Sequence, residues 1–494
     1  MKLGELFRGV PCLSMGNGEA EVTSLAYDSR QVRPGGAFFA IVGENADGHR
    51  YVTAALDRGA AAIVSEREAP AGLAKSWVQV EKIRRALASA ARNFYRHPDS
   101  RLSIVGITGT NGKTTTAYLI DSILHRAGFT TGLFGTIEYR PGDRVVAAVN
   151  TTPESLDLIS YMAEVADAGG RAAVMEVSSH ALAQERVWGF HFAVAVFTNL
   201  TRDHLDYHRD FESYFAAKRR LFEDLGSGPP AVAVINRDDP WGVRLLNLSH
   251  NRLITYGFDS SADIRVKHMA HRGAGIHTTL ATPFGKIEIE SKLIGRANVY
   301  NILAATAAGL GLDLSEETIR AGIAGLESVP GRFERISEGQ PFLVIVDYAH
   351  TDDALRNVLK TARELTDRRL IVVFGCGGDR DRAKRPLMGE AAGSLSDLAV
   401  VTSDNPRSED PIAIMNDAIV GLQKTGNPYL AEVDREIAIR KALAAANDGD
   451  IVVLAGKGHE TYQVLKDRTI PCDDRQLARS ILREMGFGEG REAG

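Results

Sequence analysis

Short apolar runs rich in β-branched residues alternate with longer helical patterns along most of the chain. Such alternation is typical of parallel sheets covered by crossover helices, so we predict an α/β fold. The first series predicts four strands, at 102–107, 172–177, 192–198 and 231–235. It also predicts a helix at 114–127, after which Gly128 acts as the C-terminal stop. A second series predicts a separate doubly wound sheet from strands at 342–346, 370–374, 398–402 and 451–454.

These two series and the region before them divide the chain into three predicted domains, as its length of 494 residues suggests. Residues 1–98 form a small mixed α/β N-terminal domain, with a strand at 37–42 and a helix at 82–95. Residues 99–330 form a central domain with a P-loop-type parallel sheet, and residues 331–494 form a Rossmann-like doubly wound C-terminal domain. The second boundary follows Val-Pro-Gly, which interrupts both helices and strands.

Composition narrows the class of protein. Hydrophobic residues make up 44% and charged residues 24%, which is ordinary for a soluble globular protein. A net charge of -5 argues against nucleic-acid binding, because phosphate backbones require a positive surface. Three scattered cysteines fit a reducing compartment, and the chain has neither a signal peptide nor a long apolar run. We therefore expect a cytoplasmic protein that does not insert into membranes.

A glycine-rich segment follows the predicted strand at 102–107 and precedes a helix. It reads Gly109-Thr110-Asn111-Gly112-Lys113-Thr114-Thr115. Backbone N–H groups in this setting form a phosphate cradle, with the lysine on the outer phosphates and a threonine hydroxyl on Mg²⁺. The general P-loop pattern fails here, because only two residues separate the first glycine from Gly-Lys. An ordinary glycine turn is the alternative, but the context favours ATP binding.

A lysine occupies an apolar position in the helix predicted at 211–225. Lys218 lies within a stripe of large apolar residues, although the opposite face has ample polar surface. On spacing alone, the favoured interpretation is that its ammonium reaches past the stem to solvent. The alternative is burial, which lowers a lysine pKa and yields an amine that can capture CO₂ as a carbamate, an oxygen ligand for Mg²⁺.

Two polar clusters follow predicted strands of the central sheet. One is residues 199–208, which include His204, and the other begins with Glu176 and continues to His180. Each cluster alone is consistent with a solvated loop. Because ligands bind at the carboxyl ends of parallel strands, their combination with the glycine-rich segment favours metal and substrate binding.

These motifs together resemble the ATP-dependent Mur ligases of peptidoglycan synthesis, over nearly the whole chain and in that family's domain order. The shortened phosphate loop is the family's own version. The resemblance implies that Lys218 is carbamylated and binds one of two Mg²⁺ ions with Glu176 and His204. It further implies nucleotide contacts from Asn301, Arg332 and Asp347, although Asp352 stands where family members usually have proline.

The resemblance also implies the substrate contacts. The N-terminal domain would bind the UDP-sugar, and the central domain the muramoyl dipeptide. The uridine-nucleotide site would comprise Ser29, Glu44, Asn45 and Ala46. The muramoyl-dipeptide site would comprise Asn150, Thr151, Thr152, Ser178, Gln184 and Arg186.

Asp404-Asn405-Pro406-Arg407 follows the predicted strand at 398–402. Taken alone it is consistent with a turn at a strand end. In the resembled family it marks members that accept meso-diaminopimelate, whose distal carboxylate suits an arginine fork. The same resemblance adds Arg380, Gly456 and Glu460 to this amino-acid site, with Glu460 on the ammonium.

The expected activity is ATP-dependent amide formation through an acyl phosphate. It joins meso-diaminopimelate to UDP-N-acetylmuramoyl-L-alanyl-D-glutamate, and Lys113 and Mg²⁺ neutralise charge during phosphoryl transfer. We expect a monomer whose C-terminal domain closes over the central one. The alternatives are a lysine-adding ligase, a folylpolyglutamate synthetase, and a nucleotide-binding switch with slow ATPase activity.

Overall fold

The computed structural model describes residues 1–43, 46–248, 250–272 and 275–488, without the side chains of 206, 271 and 272. Glu44 and Asn45, assigned above to the uridine site, lie outside the described residues. Among the described residues, no helix is both long and apolar enough to cross a bilayer.

The N-terminal region is a five-stranded sheet with helices packed against it. Strand order is β1-β5-β4-β3-β2, in which only the β1–β5 pair is antiparallel. The predicted strand at 37–42 is β3, which ends at Phe39, and the predicted helix at 82–95 is α3. The strands are β1 (Cys12–Met15), β2 (Ser24–Ala26), β3 (Gly36–Phe39), β4 (Ala62–Ser65) and β5 (Trp77–Val80), and the helices are α1 (Leu3–Leu6), α2 (Val52–Asp57) and α3 (Ile83–Phe94). Short 3-10 helices span Ser29–Gln31, Gly48–Tyr51, Ala74–Ser76 and Pro98–Arg101.

The central region has an 11-stranded sheet in the order β16-β15-β14-β13-β12-β11-β6-β10-β7-β8-β9. The strands are β6 (Ser103–Thr108), β7 (Thr131–Phe134), β8 (Glu138–Pro141), β9 (Val146–Ala147), β10 (Ala172–Glu176), β11 (Val194–Phe197), β12 (Val232–Asn236), β13 (Leu253–Gly257), β14 (Ile264–Arg272), β15 (Gly275–Thr282) and β16 (Gly285–Ser291). The helices are α4 (Lys113–Arg126), α5 (Ser155–Asp167), α6 (Ser179–Ala183), α7 (Leu205–His208), α8 (Phe211–Arg219), α9 (Pro240–Leu245), α10 (Arg296–Gly311) and α11 (Glu316–Gly325).

The middle of this sheet agrees with the sequence prediction. The four predicted strands are β6, β10, β11 and β12, and they pair in parallel in the order β12-β11-β6-β10. Helix α4 ends one residue before its cap Ala127, and Gly128 adopts the left-handed conformation expected of a helix stop. Sequence reasoning missed the antiparallel strands β14 to β16 at one edge.

The helix predicted at 211–225 is shorter than expected. Helix α8 ends at Arg219 and continues as a 3-10 helix over Arg220–Phe222. The chain then turns, because the Asp224 carboxylate accepts hydrogen bonds from the backbone N–H groups of Gly226 and Gly228. Lys218 therefore lies in the last turn of α8 and not in the middle of a long helix.

The C-terminal region is a six-stranded sheet in the order β17-β18-β22-β19-β20-β21, parallel except at β17. The four predicted strands are β18, β19, β20 and β22. The strands are β17 (Glu334–Ile336), β18 (Leu343–Asp347), β19 (Leu370–Cys376), β20 (Leu398–Ser403), β21 (Tyr429–Ala431), β22 (Ile451–Ala455), β23 (Tyr462–Val464) and β24 (Thr469–Pro471), of which the last two form a separate hairpin. The helices are α12 (Asp352–Arg363), α13 (Lys384–Leu395), α14 (Pro411–Gln423), α15 (Arg435–Ala444) and α16 (Asp474–Glu484).

Hydrophobic packing fixes these regions relative to the site. One core continues from the N-terminal sheet into the face of the central sheet that carries α5. The other face of the central sheet packs against α4, α10 and α11. The C-terminal sheet has a separate core on each of its faces. Residues that follow β10, β19 and β20 border a cavity between the regions.

Candidate active site

The glycine-rich segment between β6 and α4 adopts a conformation that requires glycine at two positions. Gly109 has φ +148° and Gly112 has φ +85°. A Cβ atom at Gly109 would lie 1.9 Å from Oγ1 of Thr198, and one at Gly112 would lie 2.5 Å from Oδ1 of Asn301. The loop is followed directly by the N-terminus of the 14-residue helix α4, where backbone N–H groups favour an anion.

Two lysines converge on one oxygen of this loop. Lys113 donates to the carbonyl oxygens of Gly109, at 3.0 Å, and Thr110, at 2.8 Å. Lys218, from α8, donates to the same Gly109 oxygen at 2.7 Å. Two ammonium groups this close repel each other, so the pair disfavours double protonation.

Lys218 is buried, with 1% of its surface exposed, so the expectation that its ammonium reaches solvent is wrong. Its Nζ atom lies 4.5 Å from the ring centroid of Tyr214. Burial lowers the pKa of Lys218 well below its usual range, and the charge of Lys113 lowers it further. Burial also lowers the pKa of Lys113, although Glu176 and Asp203 oppose that shift.

Glu176, at the carboxyl end of β10, is buried and accepts three hydrogen bonds. Thr114 donates its hydroxyl at 3.1 Å, and Thr136 donates its backbone N–H at 2.8 Å and its hydroxyl at 3.0 Å. Sequence reasoning missed Thr136. The signal was a Gly-Thr pair just beyond β7, where Gly135 lets the backbone approach the carboxylate: a Cβ atom there would lie 2.4 Å from Oε1 of Glu176.

His204 lies on the loop after β11, with φ +52°, and its ring stacks edge-on against His180 at 4.8 Å between centroids. Its Nε2 atom is 3.4 Å from the Asp203 carboxylate. Burial lowers the pKa of His204 to about 4, against the opposing effect of Asp203. The ring is therefore neutral near pH 7, as a metal-binding imidazole must be.

The donor set partly fits a magnesium ion. The Thr114 hydroxyl and Glu176 carboxylate are hydrogen-bonded to each other, and both are oxygen ligands of the kind Mg²⁺ prefers. Among the described residues, however, no three His, Cys, Asp or Glu side chains form a metal-binding group. These side chains alone supply too few magnesium ligands, and an additional anionic oxygen, such as one from a carbamate on Lys218, would add a further ligand.

Asn301 and Asp347, expected to contact a nucleotide, flank the phosphate loop. Asn301 accepts a hydrogen bond from Thr116 of α4 at 3.3 Å. Asp347, at the end of β18, accepts hydrogen bonds from the backbone N–H groups of Phe333, at 2.7 Å, and Ala349, at 2.8 Å. Burial raises the pKa of Asp347, and Arg332 opposes the shift. The charge of Arg332 also lowers the pKa of Lys113, which places Arg332 near the loop.

Arg332 has a buried hydrogen-bond donor that a bound anion could satisfy. Its guanidinium lies over the Tyr348 ring, 4.5 Å from the centroid, and its buried Nε has no hydrogen-bond partner among the described residues. An unsatisfied buried donor is costly, and a phosphate oxygen would satisfy it. The Asp352 substitution for the family's usual proline leaves the local turn intact: Thr351 caps α12 and Asp352 occupies its first turn, where a negative charge is favourable.

The residues expected to hold the muramoyl dipeptide form one hydrogen-bonded group beside Glu176. Thr152 donates to the Glu176 backbone oxygen at 2.8 Å and accepts from the Ser178 N–H at 3.0 Å. Arg186 donates to the Thr152 oxygen at 2.9 Å and to the Gln184 side chain at 2.8 Å. Thr151 accepts from Thr136 at 3.2 Å, and the Asn150 backbone hydrogen-bonds the Tyr139 hydroxyl.

The two described residues of the expected uridine site lie in the N-terminal region, apart from that group. Ser29 is buried at the start of a 3-10 helix. Ala46 is exposed, and its oxygen accepts the Gly43 N–H at 2.8 Å. Gly43 itself lines the main cavity. Ala46 is thus hydrogen-bonded to a residue of the cavity wall, whereas neither Ala46 nor Ser29 is itself part of that wall.

The Asp404–Arg407 segment after β20 is bonded to the loop after β22. The Asn405 amide donates to Glu460 at 2.9 Å and accepts from Lys457 at 3.2 Å, and Lys457 also donates to Glu460 at 3.0 Å. Burial works to raise the pKa of Asp404, but the charges of Lys457 and Arg435 outweigh it and lower the pKa. Lys457 is fully buried. Sequence analysis assigned it no function, although it lies within the Gly-Lys-Gly-His-Glu motif.

Arg407 and Arg380 lie on neighbouring loops of the C-terminal region. Arg407 has φ +52° and donates to the Gly378 oxygen at 2.7 Å, while Arg380 is exposed. The Pro406 oxygen lies so near Gly378 that a Cβ atom there would be 1.9 Å away. At Gly456, a Cβ atom would lie 2.8 Å from Oδ2 of Asp404. Glycine at these positions therefore lets the Arg380 loop and the loop after β22 each approach the Asp404–Arg407 segment.

All three regions border one cavity of about 1060 Å³. Its wall includes most of the residues expected to bind substrate, together with His204 and the unforeseen Thr136, Tyr348, His350 and Lys384. From the expected set, the wall contains Asn150, Thr151, Ser178, Gln184, Arg186, His204, Arg380, Asp404, Asn405, Arg407, Gly456 and Glu460. Lys113, Glu176 and Lys218 are not part of this wall, but Thr136, which is, hydrogen-bonds Glu176.

Three family models match consecutive parts of the chain. The description "Mur ligase family, catalytic domain" matches residues 21–95, "Mur ligase middle domain" matches 107–309, and "Mur ligase, glutamate ligase domain" matches 331–458. A protein of Solibacter usitatus named UDP-N-acetylmuramoyl-L-alanyl-D-glutamate--2,6-diaminopimelate ligase is 56% identical, with 99% of each chain covered. The chain belongs to the Mur ligase family.

Further Mur ligases agree in sequence and in fold. A Geobacter metallireducens protein of the same name is 48% identical, covering 99% of this chain and 100% of that protein. A solved structure titled as the same ligase shares 33% identity and a TM-score of 0.70, with 99% of both chains covered. The α/β architecture predicted from the sequence is confirmed. The domain limits at 98/99 and 330/331 remain predictions.

Proposed function

We propose that this Mur ligase joins meso-diaminopimelate to UDP-N-acetylmuramoyl-L-alanyl-D-glutamate, with ATP as the energy source. One observation carries the proposal: a single cavity extends from the dipeptide group beside Glu176 to the Asp404–Arg407 loop. An amide ligase requires this arrangement, because the activated acid and the attacking amine must meet away from water. The names of the relatives support the same substrate pair.

The phosphate loop is proposed to bind ATP. Gly109 and Gly112 open the cradle, and Lys113 would exchange its loop carbonyls for the outer phosphates. Arg332, with its unpartnered Nε, is placed to take a further phosphate oxygen. Mg²⁺ at Thr114 and Glu176 would supply Lewis-acid charge neutralisation.

Lys218 is proposed to carry a carbamate. Burial and the neighbouring charge of Lys113 both lower the pKa of Lys218, which favours the neutral amine, and only a neutral amine reacts with CO₂. The product would place an anionic oxygen next to the loop, close to the Thr114 and Glu176 pair. A second magnesium ion would take the carbamate oxygen, Glu176 and His204 as ligands. His204, whose pKa of about 4 keeps the ring neutral near pH 7, would be its nitrogen ligand.

The chain's residues then have separate tasks in the reaction. Thr152, Ser178 and Arg186 would orient the dipeptide so that its terminal carboxylate faces the phosphate loop. Lys113 would stabilise the charge that develops as that carboxylate becomes an acyl phosphate. The amine then attacks the acyl carbon and phosphate leaves, so no covalent enzyme intermediate is required.

Recognition of the amino acid is proposed to lie with the C-terminal loops. Arg407 and Arg380 would pair with the distal carboxylate, which lysine lacks, and Glu460 would take the ammonium of the same end. Lys457 and Asn405 fix the Glu460 carboxylate by hydrogen bonds of 3.0 and 2.9 Å. This charge pattern favours a zwitterionic distal group over the bare ammonium of lysine.

The test is an assay of phosphate release with the UDP-dipeptide and a panel of amino acids, followed by mass spectrometry of the product. We expect release and a UDP-muramoyl-tripeptide with meso-diaminopimelate, and little of either with lysine. Equal use of lysine would overturn the specificity assignment. Phosphate release without any amino acid and without ligated product would instead indicate a nucleotide switch.

A further inference from the structure

The two loops that carry Arg380 and Arg407 are bonded directly to each other. The Gly378 N–H donates to the Asn405 oxygen at 2.9 Å, and Arg407 donates back to the Gly378 oxygen at 2.7 Å. Next to Arg380, the Asp379 carboxylate accepts the hydroxyl of Ser408 at 2.6 Å and its N–H at 3.2 Å. The two loops therefore form one unit.

An ion pair between a buried arginine and a partly exposed carboxylate lies next to this unit. Arg385, 1% exposed in the first turn of α13, donates to both oxygens of Glu409 at 2.7 and 3.0 Å. Oε1 of Glu409 also accepts the backbone N–H of Asp379 at 2.6 Å. A second carboxylate, Asp417 of α14, accepts from Arg385 at 2.9 Å. The guanidinium thus connects α13 and α14 to the residue that precedes Arg380.

The backbone of the two loops needs such support. Asp379 and Arg407 both have positive φ, +54° and +52°, a conformation that is unfavourable for residues other than glycine. Strained residues persist only where surrounding contacts determine them. The contacts that do so here come from Glu409 at Asp379 and from Gly378 and Val464 at Arg407, whose N–H donates to the Val464 oxygen at 3.0 Å.

We propose that Arg385, Glu409, Asp379 and Ser408, here called the Arg385 cluster, position Arg380 and Arg407 for recognition of the distal carboxylate. The proposal rests on the proposed function and deepens it. The described cavity wall includes Arg380 and Arg407 but neither Arg385 nor Glu409, so the ion pair acts through the arginines and not on substrate. Because carboxylate recognition by two guanidinium groups depends on their geometry, the ion pair contributes to amino-acid selectivity.

The experiment compares Glu409→Gln with Asp417→Asn as a matched control. Both substitutions remove one carboxylate from the same guanidinium. Glu409 also accepts the backbone N–H of Asp379, whereas Asp417 contacts that loop through the exposed side chain of Arg382, at 3.1 Å. We expect Glu409→Gln to raise the KM for diaminopimelate about tenfold, as loss of one charge-assisted hydrogen bond would. The preference for diaminopimelate over lysine in kcat/KM should fall by a similar factor, with the KM for ATP unchanged. Asp417→Asn should leave KM and preference within about twofold.

Hydrogen exchange supplies a readout that does not depend on turnover. Glu409→Gln should speed exchange of the Asp379 amide, whereas Asp417→Asn should not. Arg385→Lys, which keeps the charge but loses the two-pronged geometry, should give an intermediate KM for diaminopimelate.

Unchanged Asp379 exchange and unchanged selectivity in Glu409→Gln would overturn the proposal, as would equal losses in both carboxylate variants. A wild-type enzyme that ligates no diaminopimelate would overturn the proposed function instead. The amide exchange would then still report whether the ion pair fixes the loop.

Discussion

Replacing Lys218 by methionine should make the protein more stable and inactive. Methionine keeps most of the buried apolar stem but removes an amine whose burial costs several kcal/mol as an ion. The lost contacts are one hydrogen bond to the Gly109 oxygen and one ring contact with Tyr214, together worth about 2–3 kcal/mol. The Gly109 oxygen retains its Lys113 donor, so no acceptor is left unpaired. The net change is a gain on the order of 1 kcal/mol near pH 7.

The stability gained by Lys218→Met should decrease as the pH rises. The pKa of Lys218 is depressed in the folded protein, so between that pKa and the usual lysine value of 10.5 the unfolded chain binds one more proton. Wild-type stability therefore rises with pH across this window, and the advantage of Lys218→Met shrinks as pH approaches 10.5. Below the depressed pKa, where both states are protonated, the advantage should be greatest and independent of pH.

Scanning calorimetry from pH 6 to pH 10 in bicarbonate-free buffer measures this difference. Lys218 lies in the predicted central domain, residues 99–330. For a domain of that size, a stability gain of about 1 kcal/mol corresponds to a rise in Tm of roughly 2–4 °C. Arg219→Met is the control, because Arg219 is exposed beside Lys218 and its ion pair within the described residues is with Glu223. The stability difference of this variant should not vary with pH. A Lys218→Met protein that unfolds at lower temperature than wild type, with no pH dependence, would refute the argument that this amine is buried at a cost.

The remaining predictions concern the two ends of the site and the C-terminal core. Lys113→Ala should lower ligation at least a hundredfold without loss of folding, as measured by phosphate release and circular dichroism; unchanged turnover would exclude the phosphate-loop assignment. Gly109→Ala should abolish ATP binding in calorimetric titration, because its Cβ would lie 1.9 Å from a threonine hydroxyl. Arg407→Ala should raise the KM for diaminopimelate tenfold or more and leave the KM for ATP unaltered; the reverse pattern would contradict its role. Asp474→Ala should destabilise the C-terminal region by about 3–5 kcal/mol, seen as faster hydrogen exchange there, because Arg435 would remain buried and unpaired.

The sequence predicted the parallel parts of the fold well, for a physical reason. Strands such as β6, β10 and β19 are buried on both faces and read as continuous apolar runs that a pattern detects directly. Strands β15 and β16 alternate buried residues with partly or fully exposed ones in antiparallel pairs at a sheet edge, and they escaped notice together with β14. The end of α8 was also missed, because hydrogen bonds to Asp224 in the following turn decide it and apolar spacing does not.

The candidate site divides in the same way. The positions of Lys113 at a helix start and Glu176 at a strand end were predicted from the sequence, and their roles stay predictions. The burial of Lys218 was not predicted, since the spacing of apolar residues alone favoured an ammonium that reaches solvent. Thr136 and Arg385 were invisible because their importance lies in contacts across 40 and 24 residues of chain, which no local pattern encodes.

The central claim is that one cavity brings together an activated sugar-peptide acid and an arginine-selected diamino diacid. Its most direct test is mass spectrometry of a reaction containing the UDP-dipeptide, ATP, magnesium, bicarbonate and an equimolar mixture of meso-diaminopimelate and lysine. The account predicts a product whose mass increases by one diaminopimelate residue, with the lysine adduct a minor species. A dominant lysine adduct, or ADP and phosphate with no adduct at all, would contradict it.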